Sequence, residues 1–438
     1  MRICTPDEAA SVVGPVDTLG IPLGPGQPAA LLHALGKRAE YAKLTVFGGL
    51  LVDFYALFTR PGVRLLSGFF GPVERALVAS GNEVHFVPGD FRRFIHVTRQ
   101  LRPRVMATCA APPDANGRLS LSLHAGATVD ELRRAGRDPE RLLVVEANPQ
   151  LPRTLGLPPA HPHELALDEI DILVESDRPV FALPEAEPSS VERAIAETAA
   201  KFVSNGATLQ AGIGEIPDAI VRILAQAPGD DFGIHTEMFT TGLMRLHQAG
   251  KVTNRKGIYD GVSVATFALG TRELYDWLDG QELVRFLPVE AVNEPSIIAR
   301  NRKMISINGA LSVDLVGQIV ADSIAGREHS GIGGHEDFVT GAVFSEGGRS
   351  LICLPSTAAV DGRRLSRIVS GFPAGACVTT PRHQVDVVIT EYGAAELAGR
   401  TVAERREALC AIAHPAFRDA LRERVPELPS LPLEDGSA

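Results

Sequence analysis

The sequence predicts an α/β fold made of two open domains with mainly parallel sheets. The chain has 438 residues, enough for two domains that each bury their own core. Short apolar runs alternate with helical patterns, and continuous apolar strands are typical of parallel sheets covered on both faces. In the first half these runs occupy residues 44–47, 84–86, 105–109, 142–146 and 172–174.

A strand, a glycine turn and a helix follow one another at two places in the chain. Residues 16–36 give a short strand, a Gly/Pro turn and a helix from about Pro28. Residues 207–224 repeat this order, with Leu209 in the strand, Gly212 to Gly214 in the turn and Pro217 entering the helix. We interpret this as a weak internal repeat of two related halves, although the unit is common enough in parallel-sheet folds to recur by chance.

The best domain boundary lies in residues 176–190, which contain three prolines and read as an extended linker. We therefore predict an N-terminal domain at 1–185 and a C-terminal domain at 186–438. A helix is expected from Ser189 to about Asn205. Residues 111–117 form a turn cluster, and the alternating residues 119–122 predict a hairpin-like return. Further strands are expected at 266–270, 303–308, 350–354, 376–379 and 385–390.

Bulk composition excludes several functional classes. The formal charge of −10 and the pI near 5.7 argue against a nucleic-acid surface. No apolar run reaches the ~18 residues of a membrane span, and no apolar region follows the first residues as in a signal peptide. We expect a cytoplasmic protein with neither nucleic-acid nor membrane partners. Five scattered cysteines without a CxxC pair indicate reduced thiols.

Glu237 is the candidate nucleophile. It lies in the segment GIHTEMF, and a carboxylate among Met, Phe and Ile is uncommon unless it is paired or functional. A carboxylate needs no base, because it is already ionised at neutral pH. The alternative is a salt-bridged glutamate at a strand end. His235, two residues earlier, is more often a structural histidine than a base.

A second glycine cluster follows at Gly331, Gly333 and Gly334. Such a loop can form a nest of backbone N–H groups that stabilises an oxyanion, or it can be a plain turn. Neither cluster matches the dinucleotide or the Walker phosphate motif. His335, Glu336 and Asp337 follow the cluster, but no matching second pair of ligands is present, and we expect no metal.

Long ordered motifs carry a family resemblance that covers nearly the whole chain and is dense from Ala207 to Arg418. The sequence resembles the acetyl-CoA hydrolase/transferase family, and within it the 4-hydroxybutyrate and butyryl CoA-transferases. The resemblance implies two CoA-transferase-like domains with the active site between them, and a homodimer or homotetramer. The motifs are GIGEIPDAIVRIL, GIHTEMFTTGLMRL, ATFALGTRELYDWL, NEPSIIARNRKMISINGALSVDLVGQIVADS, SGIGGHEDFVTGA and TEYGAAELAGRTVAERREALCAIAHPAFR.

The resemblance also implies roles for individual residues. The family's glutamate nucleophile falls on Glu237. The family's CoA contacts fall on Gly212, Ile213, Gly214, Glu215, Ile216, Leu311 and Gly334. One departure is Thr240-Thr241-Gly242, where relatives usually have Ser-Asp-Gly, and it leaves the acyl preference open.

We therefore expect a CoA-transferase that acts on acyl-CoA and small carboxylic acids such as acetate, through a covalent glutamyl-CoA. Coenzyme A is then the substrate, and no metal or organic cofactor is expected. The nearest alternative is an acyl-CoA hydrolase that uses the same glutamate. A CoA-binding protein with an inactive site and a nicotinamide oxidoreductase are weaker alternatives, because Glu237 is retained and the third glycine is lacking.

Overall fold

The first of two central sheets is wholly parallel and has eight strands. A computed structural model describes residues 1–185, 187–212 and 214–423. The chain fills one side of the sheet and then the other, so the order reverses between the strands Val16–Gly20 and Val105–Ala110. In spatial order the strands are Arg2–Cys4, Ile172–Glu175, Leu142–Ala147, Val105–Ala110, Val16–Gly20, Lys43–Gly48, Val63–Ser67 and Val84–Phe86.

Helices cover this sheet and bury its Val- and Leu-rich strands. The α-helices are Pro6–Ala10, Ala29–Lys37, Pro72–Ala79, Phe94–Leu101 and Val129–Arg137. Short 3-10 turns lie at Gly24–Gly26, Ala56–Thr59, Phe91–Arg93 and Leu167–Glu169. The helix predicted to begin at about Pro28 begins at Ala29, and Pro28 is the residue directly before its first turn.

The second central sheet has six strands, parallel except for the last pair. In spatial order they are Gly233–Ile234, Thr208–Ala211, Met304–Gly309, Arg349–Cys353, Val387–Thr390 and Gly393–Glu396. Its helices are Ser190–Ala200, Glu215–Gln226, Thr241–Gln248, Arg272–Leu278, Val289–Val292, Pro295–Ile298, His335–Phe344, Val402–Ala411 and Arg418–Glu423, with a 3-10 turn at Pro415–Phe417.

Smaller ladders lie outside the two central sheets. Two are short parallel pairs, Met238–Phe239 with Phe267–Ala268 and Ser263–Ala265 with Val284–Phe286. The others are Arg118–Ser120 with Glu164–Ala166, Ser323–Ile324 with Arg327–Glu328, Thr357–Val360 with Arg363–Ser366, and Ser312–Asp314 with both Ile319–Val320 and Ile368–Val369.

The predicted fold class, α/β with mainly parallel sheets, is confirmed. Three local predictions are corrected. Residues 376–379 form no strand: Gly375 and Pro381 flank this short stretch, and Thr379 N only reaches the Ile319 carbonyl at 2.8 Å. The hairpin-like return is present only at its tip, where Ala111 N donates to the Ser120 carbonyl and Asp114 N to the Arg118 carbonyl, both at 2.9 Å. The ladder partner of the strand Arg118–Ser120 is Glu164–Ala166, far along the chain. The helix expected to reach about Asn205 ends at Ala200.

Residues 176–185 and 187–189 are neither helix nor strand, as expected for the linker. Ala186, at the predicted boundary, lies outside the described residues, so the division into two domains stays a prediction. None of the helices in the described part of the chain is long and apolar enough to cross a membrane.

Loops from the first sheet contact the second glycine cluster directly. Phe70 N donates to the Ser330 carbonyl at 3.1 Å, and Phe91 N donates to the Gly333 carbonyl at 2.9 Å. Gly331 packs so closely that an added Cβ would lie 2.9 Å from the Gly68 carbonyl oxygen. The glycine cluster is therefore held between both central sheets.

Candidate active site

The backbone at Glu237 is fixed by strand pairing on both sides. Glu237 lies between the strands Gly233–Ile234 and Met238–Phe239. Its carbonyl accepts hydrogen bonds from Thr266 N at 2.9 Å and Phe267 N at 3.2 Å. Parallel strands end at a common edge, so this pairing presents the Glu237 side chain at the carboxyl edge of the second sheet.

Two N–H donors hold the Glu237 carboxylate. The Asn293 amide donates from Nδ2 to Oε2 at 2.6 Å, and the backbone N–H of Gly334 also hydrogen-bonds the carboxylate. Gly334 must be glycine here, because an added Cβ would lie 2.1 Å from Oε2 and 2.4 Å from Asn293 Nδ2. The salt-bridged alternative for Glu237 is not observed, since its partners within the described residues are uncharged donors.

Burial dominates the electrostatics of Glu237. The side chain is partly accessible to solvent, yet enough protein surrounds the carboxylate that burial raises its pKa to about 7, against the two donors. A carboxylate with a raised pKa is more basic, and so more nucleophilic, than one in water. It is still substantially ionised near neutral pH.

His235 is structural. It is fully buried, and burial lowers its pKa to about 3, so the ring is neutral. Its Nε2 lies 2.7 Å from the Val292 carbonyl oxygen, which requires the proton to be on Nε2. The ring therefore anchors the strand before Glu237 to the segment that carries Asn293.

Of the predicted oxyanion loop, Gly334 and Gly333 face the carboxylate and Gly331 does not. An added Cβ at Gly333 would lie 3.6 Å from Glu237 Oε1, and its φ of +57° favours glycine. Gly331 instead packs on Gly68 and Phe69.

The predicted CoA loop lies at the same sheet edge but does not touch the carboxylate in the described residues. Gly212 neighbours Ile307 and Asn308. Gly214 precedes the helix Glu215–Gln226, where free backbone N–H groups suit an anion, and Gly214 and Glu215 are exposed.

The remaining predicted CoA contacts are Ile213, Ile216 and Leu311. Ile213 lies outside the described residues. Ile216, in the first helical turn, is partly buried against the core. Leu311 follows the strand Met304–Gly309 and is partly exposed. Since strands Thr208–Ala211 and Met304–Gly309 are paired in parallel, both loops leave the sheet at one edge.

The structure adds residues that sequence reasoning did not select, namely Asn293, Arg92 and the acid Asp337. The sequence pattern indicates Asp337 only as a possible metal ligand. Its side chain points to Arg92 and Asn293, while His335 bonds Thr380. The available signal was a polar residue inside an apolar stretch, as in AVNEPSII and HEDFV. No group of three potential metal-ligating side chains occurs in the described ranges.

The chain is similar to known proteins over nearly its whole length. The model of the acetyl-CoA hydrolase/transferase C-terminal domain matches residues 270–425. The succinyl-CoA:cyclohexane-1-carboxylate CoA transferase of Geobacter metallireducens is 36% identical over 427 residues, which is 96% of this chain and 94% of that protein. The chain belongs to the acetyl-CoA hydrolase/transferase family. The family predicted from the motifs is thereby confirmed, and with it the prediction of an enzyme of the CoA-transferase class.

The chain is similar to two further proteins over most of its length. The 4-hydroxybutyrate coenzyme A transferase of Clostridium kluyveri is 36% identical, over 90% of each chain. The crystal structure of RipA from Yersinia pestis superposes with a TM-score of 0.88 at 33% identity, over 96% of each chain. The likeness therefore extends over both central sheets.

The departure at Thr241 has a structural role here. Thr241 is buried, and its hydroxyl oxygen accepts a hydrogen bond from Thr271 N at 3.0 Å. It thereby joins the start of the helix Thr241–Gln248 to the start of Arg272–Leu278. Its side chain is directed at this joint.

Proposed function

We propose that this enzyme moves CoA from a short-chain acyl-CoA to a carboxylic acid such as acetate, through a covalent glutamyl-CoA thioester on Glu237. The supporting observation is the carboxylate of Glu237 between the Asn293 amide and the Gly334 N–H. Preorganised N–H donors of this kind stabilise the negative charge that develops on oxygen in acyl transfer.

The first half of the reaction loads CoA onto the enzyme. A carboxylate oxygen of Glu237 attacks the thioester carbonyl, the C–S bond breaks, and CoA thiolate leaves an acyl-glutamyl anhydride. The thiolate then attacks the glutamyl carbonyl of the anhydride. The bond between the glutamyl carbonyl carbon and the bridging oxygen breaks, so the first acid leaves as a carboxylate and glutamyl-CoA remains.

The second half reverses these bonds with a new acid. The acceptor carboxylate attacks the glutamyl carbonyl and expels CoA thiolate, which then attacks the acceptor's carbonyl. The products are a new acyl-CoA and the free carboxylate of Glu237. Every nucleophile and leaving group is an anion, so no proton moves, which fits a site whose neighbouring His235 is held neutral.

CoA would enter over the carboxyl edge of the second sheet. The exposed start of the helix Glu215–Gln226 offers N–H groups and the favourable end of a helix dipole to the CoA phosphates. Leu311, on the neighbouring loop, offers an apolar contact. Gly214, with φ +128°, permits a backbone conformation that other residues avoid.

Hydrolysis by the same glutamate is the second candidate function. The observation that favours it is that the Glu237 side chain is partly accessible to solvent. Water that reaches the glutamyl thioester would release CoA without an acceptor. The two activities share every residue and differ only in which nucleophile arrives.

The test is incubation with acetyl-, butyryl- and 4-hydroxybutyryl-CoA, with and without acetate, while thioester loss and exchange are both followed. Transfer predicts rapid exchange that depends on the acceptor, with parallel double-reciprocal lines. Intersecting lines would indicate a ternary complex and contradict the covalent route. Thioester loss at the same rate without acetate would assign hydrolysis instead.

A further inference from the structure

Three hydrogen bonds connect Glu237 to an arginine that approaches from the first sheet. Asn293 Nδ2, which donates to Glu237, also lies 3.3 Å from Asp337 Oδ2. Arg92 Nε donates to the other oxygen of Asp337 at 2.6 Å. Asp337 is 1% exposed, so this carboxylate is buried between a guanidinium and an amide.

We propose that the Arg92–Asp337 ion pair is a positioning device that keeps the Asn293 N–H directed at the Glu237 carboxyl group throughout the reaction. This inference rests on the proposed function of Glu237. Arg92 and Asp337 act through Asn293 and do not themselves contact the reacting atoms.

The orientation of the Asn293 amide has to be fixed by its partners, because Oδ1 and Nδ2 are nearly alike in shape. Asn293 Oδ1 is buried and has no hydrogen-bond partner in the described residues, so nothing on that side fixes the amide. Its orientation follows from two carboxylates that both face Nδ2. A flipped amide would place Oδ1 against both of them.

The reaction removes one of these two carboxylates. When Glu237 becomes an anhydride or a thioester, it loses its negative charge. The hydrogen bond that it accepts from the Asn293 amide then becomes weaker. Asp337 is then the carboxyl group that still accepts from Nδ2. The second Nδ2 hydrogen stays directed at the glutamyl carbonyl oxygen, where charge develops during the next attack.

Arg92 favours the ionised form of Asp337, which its buried surroundings disfavour. Burial raises the pKa of Asp337, and the carboxylates of Asp90 and Glu237 raise it further, while Arg92 acts in the opposite direction. Both partners of Asp337 are donors, which favours its ionised form.

The other charged groups around the pair are acids or are directed elsewhere. Arg92 also lies 3.6 Å from Asp90 and 3.4 Å from Glu294. On the helix of Asp337, His335 and Glu336 both bond the Thr380 hydroxyl. Arg92 is therefore the cation that the hydrogen-bond network supplies to Asp337.

The experiment compares the pH profiles of kcat/KM for Arg92→Gln, Asp337→Asn and the double variant. Removing the acid should move the ascending midpoint down by about 1 pH unit, and removing the arginine should move it up by a similar amount. The midpoint of the double variant should lie between those of the two single variants.

Each single variant should also lose about 10²-fold in kcat with little change in KM for the CoA ester, because the Asn293 amide donor is misplaced by about 1 Å.

Arg93→Gln is the matched control. Arg93 is the next residue, its side chain is 68% exposed, and among the described residues its acidic partner is Asp90, at 3.7 Å. Its midpoint and kcat should equal those of the wild type. If Arg92→Gln does not fold by circular dichroism, Arg92→Lys replaces it and should keep the midpoint while losing kcat.

Midpoints that stay at the wild-type value in both single variants, or move in the same direction, would overturn the positioning role. The proposed function is judged separately, by whether wild-type Glu237 carries CoA. A labelled Glu237 with unmoved midpoints would refute only the ion pair's role.

Discussion

At the scale of the residue, Glu237 combines two opposing influences. Burial disfavours its charge, whereas the Asn293 amide and the Gly334 N–H favour it. The outcome is a pKa of about 7, so the carboxylate is reactive but available near neutral pH. The same donors that hold the ground state lie where an oxyanion of the glutamyl carbonyl would form.

The raised pKa predicts a pH-dependent stability difference between wild type and Glu237→Gln. The folded state binds the Glu237 proton more tightly than the unfolded state, so its contribution is present below about 4.5 and is lost as the pH rises through about 7. The Glu237→Gln variant has no titrating carboxyl group at this position, so its stability does not fall in this way as the pH rises. Denaturant melts should therefore show the variant gaining stability over wild type from pH 4.5 to 8, and a constant difference would contradict the raised pKa.

A methyl group at Gly334 should disable the site. Because the Cβ of Gly334→Ala would lie 2.1 Å from Glu237 Oε2, the carboxylate or the loop must move. We expect kcat to fall by about 10²-fold or more. Gly371→Ala is the control, since a Cβ there meets nothing within 4 Å. Steady-state kinetics that show equal rates for both variants would mean that the loop adjusts freely.

At the scale of the element, the proposed CoA contact depends on the backbone at Gly214, directly before the helix Glu215–Gln226. Gly214 has φ +128° and ψ 172°, a conformation that is essentially confined to glycine. A Cβ there would find open space, with Pro217 Cδ 3.9 Å away. The constraint is therefore the backbone conformation and not steric crowding.

Gly214→Ala should consequently weaken CoA-ester binding. The strain of about 1–3 kcal/mol is relieved if the loop changes its path, which moves the N–H groups at the helix start. We expect KM for the CoA ester to rise several-fold. Gly250→Ala is a matched control, because Gly250 also has a positive φ, +67°, and open surroundings but follows a different helix. It should lose stability without a change in KM, and equal KM values for both variants would refute the loop's role.

The sequence predicted those strands well that are marked by an apolar run between turn residues. Apolar runs flanked by turn residues located the strands Val84–Phe86 and Leu142–Ala147 to within a residue. The predictions missed Arg2–Cys4 and Val63–Ser67, since the first is short and carries a charge and the second has an exposed Arg64. The partner of Arg118–Ser120 depends on a long-range pairing that no local pattern encodes.

At the scale of the whole molecule, the site is assembled from segments far apart in sequence. Glu237, Asn293 and Asp337 meet through separate elements of the second sheet, and Arg92 arrives from the first. The sequence motifs indicated Glu237 and the glycine cluster, because those residue types carry chemistry by themselves. Asn293 had only the weak signal of a polar residue in an apolar stretch, and the role of Arg92 follows only from its contact with Asp337.

The assembly state remains a prediction at this scale. The family resemblance implies a homodimer or homotetramer. Multi-angle light scattering should therefore give two or four times the chain mass of 46.7 kDa. A mass of 46.7 kDa at working concentration would exclude both states.

Trapping the covalent intermediate tests the central claim most directly. Enzyme incubated with acyl-CoA and then with borohydride should lose activity, since a glutamyl thioester is reducible, whereas enzyme without acyl-CoA should not. Mass mapping should place the reduced residue at Glu237 in the peptide GIHTEMFTTGLMR. Glu237→Gln should show no label and a fall in exchange of several orders of magnitude. A label on another carboxylate, or near-normal exchange by Glu237→Gln, would contradict the account.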